Sequence, residues 1–165
     1  PSMEHSNHNG AGSDRMQGKH YRHLLYMAVL SFVSMYILMY SMVDILPNVV
    51  PNVNQFYMAG LMTMPMVIIE LIVMRMMYKN KKLNIIIIVA CGLALTVFFL
   101  FIRQQAAVGD KQFLKSMIPH HAAALLMAKE ADIQDPEIQE LCRQIITSQQ
   151  AEIDQMKAKL KELEK

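Results

Sequence analysis

The chain has 165 residues, 53% of them hydrophobic, with 16 methionines, no tryptophan and a formal net charge of +2. That charge is divided: residues 1–109 carry eight basic and four acidic side chains, residues 110–165 eight and ten. The basic excess mostly flanks apolar stretches, so nothing points to nucleic acid, and two distant cysteines, Cys91 and Cys142, exclude an internal disulfide framework.

Residues 1–22 are polar, with Gly10, Gly12, Gly18 and several Ser and Asn, and read as a disordered cytoplasmic tail. His5, His8, His20 and His23 are scattered through this end without ligand spacing. Three apolar stretches follow. Residues 24–46 are apolar apart from Asp44, residues 56–77 apart from Glu70 and Arg75, and residues 83–102 carry no charge. A bilayer core takes about 20 apolar residues in a helix, so each stretch is long enough. Residues 23–103 are thus predicted to form a three-span membrane domain. No small-residue cleavage pattern follows the first stretch, which reads as an uncleaved anchor.

Basic residues near the membrane ends set the orientation. Arg15, Lys19 and Arg22 precede the first span, and Arg75, Lys79, Lys81 and Lys82 surround the turn between the second and third. The first loop, 47–55, has neither Lys nor Arg. The amino terminus is therefore predicted to be cytoplasmic and everything after Ile102 to lie outside, which in a Gram-negative cell is the periplasm.

Of the 16 methionines, 11 lie in or at the ends of the first two spans. Met58, Met62, Met66, Glu70, Met74 and Tyr78 recur every four residues along one face of the second span. An intramembrane carboxylate is a functional candidate, so Met62, Met66, Glu70 and Met74 form a possible membrane site for a soft cation. The competing expectation is that the methionines pack helices and Glu70 bonds Tyr36, Tyr40 or a neighbouring subunit.

Beyond Gly109, Asp110 is placed to cap a helix running to about Ala131. Asp135-Pro136-Glu137 then starts a second helix that continues to the carboxyl end, with Pro at the first turn and Glu at the positive dipole end. Residues 104–165 are predicted to form an antiparallel helical hairpin joined by a loop of three or four residues. Its expected apolar stripes are Phe113, Met117, Ala124 and Met127, facing Ile138, Ile145, Met156 and Leu163. About 55 residues bury little core alone, so two hairpins are expected to pair as a four-helix bundle, in a homodimer or higher oligomer.

Residues 110–122 read D-K-Q-F-L-K-S-M-I-P-H-H-A. Met117, His120 and His121 fall within about one helical turn, beside Pro119, which is expected to kink the helix. Met127 continues the stripe. On the second helix Cys142, Gln149 and Met156 recur at seven residues, with Glu152 beside them. Thioethers with imidazoles suit Cu(I) or Ag(I), and zinc comes second. From the residues alone the methionines can equally fill core. Neither tail helix has the Glu-x-x-His of di-iron bundles, nor is there a His-Glu-x-x-His, a nucleophile elbow or a glycine-rich phosphate loop, so no enzyme is predicted.

The run Asp110-x-x-Phe113-Leu114-x-x-Met117-Ile118-Pro119-His120-His121-x-x-Ala124, with Met127-Ala128, Asp135-Pro136-x-Ile138 and Gln149-x-x-Glu152-Ile153-x-x-Met156, resembles the bacterial domain-of-unknown-function family numbered 305. That resemblance implies a ferritin-like fold and a likeness to CopM-type periplasmic copper-binding proteins. It implies Met117, His120, His121, Met127 and Met156 as ligands, with Asp110, Gln149 and Glu152 in support. Soluble members commonly hold two copies of the hairpin in one chain, whereas here one copy follows three spans. The expected fold is therefore all-α, three membrane helices followed by a periplasmic hairpin that dimerises into a ferritin-like four-helix bundle. The expected function is Cu(I) or Ag(I) binding in copper homeostasis or resistance, as chaperone, buffer or delivery partner to a copper exporter or periplasmic chaperone. The alternatives are a non-catalytic oligomerisation and docking module for a membrane partner and a small metal transport component using Glu70 and the methionine face of the second span.

Overall fold

The computed structural model describes residues 8–165. Five α-helices follow in order: α1 His8–Leu38, α2 Val53–Val73, α3 Lys81–Gln104, α4 Asp110–Glu130 and α5 Pro136–Leu163, with 3-10 turns at Met39–Met42 and Leu46–Asn48 between α1 and α2. No strand occurs among the described residues. Three segments, Gly10–Met42, Val53–Val73 and Lys81–Gln104, are long and apolar enough to cross a membrane. No residue of α3 is fully buried against protein, so much of this apolar helix faces its surroundings.

Residues 8–22, expected to be disordered, instead continue α1; residues 1–7 of that predicted tail, including His5, lie outside the described residues. Glycines at 10, 12 and 18 weaken a helix, but tertiary contacts oppose this. Gln17 accepts from the Lys79 backbone N–H at 3.0 Å, and Tyr21 donates to Asn84 Oδ1 at 2.5 Å.

The chain divides into two compact units. One comprises residues up to Met35 together with Ala59–Leu100. Its core is Leu24, Val67, Leu71 and Tyr78, with Met27, Ile87, Ile88 and Cys91 packed around it. Gly60 of α2 lies directly against the Phe98 ring of α3, where any Cβ would collide. Asn80 caps α3, accepting from the Leu83 N–H at 3.1 Å.

The other unit comprises Tyr36–Met58 and Phe101–Lys165. It contains the predicted hairpin, but the buried stripe differs from the expected one. Ile118, Ala122 and Leu125 of α4 and Ile153 of α5 are fully buried, at offsets of four and seven on α4. Ile146, Met156 and Leu160 pack against them. Phe113, Met127 and Ile138, placed in the stripe by sequence, are about half exposed. The reason is a third segment: Val43 and Val50, from the α1–α2 connection, complete this core.

Polar contacts fasten the same connection. Asn54 and Gln105 exchange reciprocal amide hydrogen bonds of 3.0 and 2.9 Å, and Tyr57 donates to the Ala106 carbonyl at 2.8 Å. Gln112 accepts from the Val53 N–H at 3.0 Å, Asn54 donates to Ser116 at 2.9 Å, and Lys129 lies 3.8 Å from the buried Asp44 carboxylate. Gln105 and Ala107 take left-handed backbone conformations, φ 51° and 59°, which turn the chain from α3 into α4. The hairpin therefore belongs to a unit larger than residues 104–165, and part of the partner surface it was expected to need comes from its own chain.

Helix ends follow local chemistry. The α4 N-cap is Gly109, without a side-chain cap, and Asp110 is the first helical residue rather than the cap; there its charge meets the positive dipole end. Helix α4 runs through Pro119 without interruption. The connection spans residues 131–135, one residue longer than the longest predicted. Asp135 caps α5 as expected, accepting from the Glu137 and Ile138 N–H groups at 2.8 and 3.2 Å. Asp135→Ala is expected to cost about 1 kcal/mol, read as faster hydrogen exchange confined to the first turns of α5. Farther along, the Arg143 guanidinium bonds Glu140 and holds its carboxyl below the usual range.

Candidate metal site

Met117 and His121 stand one turn apart on the same face of α4. Across from them, Glu152 and Met156 are likewise one turn apart on α5. Together with Phe113, Leu114, Gln155 and Lys159 these four line one open cleft of about 360 Å³. A liquid water takes about 30 Å³, so a cation with its donors has room there.

His121 is the buried member, with 8% of its surface exposed. Its Nε2 lies 2.5 Å from Glu152 Oε2, a contact between a buried ring and a half-exposed carboxylate. Its Nδ1 is also buried and has no hydrogen-bond partner. Buried polar atoms are normally satisfied, and leaving one unmade costs about 1–3 kcal/mol. His121, with its orphaned nitrogen, lines the same cleft as two thioethers, a residue set that fits a soft metal ion. Among the described residues no three His, Cys, Asp or Glu side chains converge on a metal position, so the donor set of this cleft depends on the sulfurs.

The remaining residues proposed from sequence lie outside the cleft lining. His120 is exposed, its ring centroid 6.4 Å from that of His121. Met127 is 53% exposed and ten residues beyond Met117, about 15 Å along the helix. Asp110, at the start of α4, is about 10 Å before Met117 by the same rise, and Gln149 is half-buried on α5. Phe113, Leu114, Gln155 and Lys159 were not proposed. The signal for the last two was periodicity, since 152, 155, 156 and 159 share one helix face.

The possible membrane site is in the other unit. Met62 and Met74 are exposed, Met66 and Glu70 half-buried. Glu70 accepts from the Tyr78 hydroxyl at 3.4 Å, so its partner is Tyr78 rather than Tyr36 or Tyr40, which stack edge-on against each other at 5.5 Å. Burial, then the Glu70 charge, pushes the Tyr78 hydroxyl pKa up. Glu70 is three residues from the end of α2 at Val73, close to the edge of the apolar segment.

The family described as "Domain of unknown function (DUF305)" matches residues 102–160, the segment that contains Met117, His121, Glu152 and Met156. A relative, "Uncharacterized protein L153" of Acanthamoeba polyphaga mimivirus, is 34% identical over 145 residues, 84% of this chain and 91% of the relative. That match is far longer than the DUF305 segment. No solved structure matches the chain. With the hairpin in place and a likeness of this length, the chain belongs to the DUF305 family.

Proposed function

We propose that this protein is a membrane-anchored binder of a soft monovalent metal, Cu(I) or Ag(I), serving as a chaperone, buffer or delivery partner. A single convergence supports the reading: Met117, Met156 and a buried His121 line one cleft, and the His121 Nδ1 has no other partner. Two thioethers and one imidazole form a soft donor set, suited to Cu(I) or Ag(I) before zinc and poor for Mg or Ca. Bound metal would be held by Met117, His121 and Met156, with Glu152 adjacent. Gln155 and Lys159 of the cleft lining are exposed to solvent, which suits exchange with a donor or acceptor protein.

The three apolar helices supply the anchor. Basic residues at 15, 19, 22, 75, 79, 81 and 82, against none in 47–55, favour a cytoplasmic amino terminus and an outward hairpin. In a Gram-negative cell that puts the cleft in the periplasm. Phe113, Ile138 and Leu141 remain exposed on the hairpin, and a homodimer that joins two hairpins in a four-helix bundle would cover such surface.

The test is competitive Cu(I) titration of the full chain in detergent micelles. Stoichiometric binding is expected for the wild type and for His120→Ala, and is expected to be lost in His121→Ala. Met117→Leu/Met156→Leu keeps side-chain volume while removing both sulfurs, and should also lose tight binding with the helical signal unchanged. Binding that survives all these changes would refute the site.

A further inference from the structure

We infer that His121 presents Nδ1, not Nε2, to the metal, and that Glu152 is a positioning residue that dictates this choice rather than a ligand. The inference rests on the metal-binding reading above and deepens it. Nε2 and Glu152 Oε2 are 2.5 Å apart, hydrogen-bond contact with no gap for an ion between them. A carboxylate only accepts hydrogen bonds, so the neutral ring, the form that can bind a metal, carries its hydrogen on Nε2 and keeps its lone pair on Nδ1. That lone pair belongs to the buried atom without a protein partner. Both observations on this one ring point to the same nitrogen.

The division of labour follows the chemistry of histidine ligands. A ligating imidazole commonly donates its second N–H to a carboxylate, which fixes the tautomer, orients the ring and raises its basicity. Glu152 can do this from α5 while its side chain is 53% exposed, because one oxygen suffices and the rest of the carboxylate stays hydrated. The His121 ring leans over the turn before it, the turn that contains Met117. Glu152 thus sets the donor atom from one helix, and Met117 offers sulfur from the other.

The experiment uses the full chain in micelles with ring nitrogens of histidine labelled by ¹⁵N and methionine methyls by ¹³C, titrated with Ag(I). The His121 signals are those that vanish in His121→Gln. The expected result is silver coupling and a large shift at Nδ1, with Nε2 still protonated. Coupling at Nε2 would overturn the inference and leave metal binding intact. So would silver shifts of the Met117 and Met156 methyls with neither His121 nitrogen affected. No response from any of these groups would refute the metal site itself. As a second readout, Glu152→Ala is expected to keep silver on Nδ1 while weakening binding about 10–100-fold, as for other carboxylates behind a ligating histidine. In the metal-free Glu152→Ala chain the ring should relax to a mixture of tautomers, and Glu152→Gln, whose carbonyl still accepts, should restore the Nε2–H form. An alanine variant with unchanged affinity and an unchanged tautomer would rule out a positioning role.

Discussion

Ile153→Ala is expected to destabilise the unit that holds the cleft by about 2–5 kcal/mol. Ile153 is fully buried, and its neighbours Ile118, Ala122 and Leu125 are fully buried as well. Removing its outer carbons leaves a void walled by two rigid helices, and Ala122 is too small to fill it. The loss therefore combines lost transfer energy with an unrelaxed cavity. Hydrogen exchange of α4 and α5 amides reads the opening of this region directly, and the opening constant should rise by about 30-fold or more. Ile153→Val should cost only about 0.5–1.5 kcal/mol. Equal exchange in wild type and Ile153→Ala would mean that the hairpin core lies elsewhere.

The second large effect is expected at Val50, about one hundred residues away in sequence. Val50→Asp should destabilise the same unit by an amount on the order of 3 kcal/mol, because a carboxylate would be pressed against the apolar underside of α4. Leu46, four residues earlier, is 84% exposed, so Leu46→Asp serves as the control and should leave α4 exchange unaltered. If Val50→Asp were equally silent, the α1–α2 connection would not complete the hairpin core. Pairing between two hairpins would then have to supply all of the cover.

Much of the architecture was legible in the residues themselves. Apolar length gave the three candidate spans, and Asp135-Pro136-Glu137 marked the start of α5 because cap, ring and dipole act within one turn. The spacing of Met117 and His121, and of Glu152 and Met156, placed each pair on one helix face. The choice among faces was not legible. Helix α4 carries Phe113, Leu114, Met117, Ile118, Ala122, Leu125 and Met127 around much of its circumference, so periodicity alone permits more than one stripe. Val43 and Val50 break that tie, and a contact spanning some seventy residues leaves no periodic trace. Similarly, the resemblance nominated eight residues, while only depth and facing direction separate His121 from its neighbour His120. The glycines near the amino terminus suggested disorder, since propensity cannot register the Gln17 contact to Lys79.

The fastening of residues 36–58 to 101–165 has a consequence for anyone who cuts or grafts this protein. The unit that holds the cleft is encoded in two separated pieces, with the whole of Ala59–Leu100 interposed. A soluble fragment starting near residue 104 would lack Val43, Val50, Asn54 and Tyr57, and would have an incomplete floor. Chimeras between relatives should keep their first loop and their hairpin from the same parent. During synthesis, the first loop must wait for the last third of the chain before either has its native neighbours.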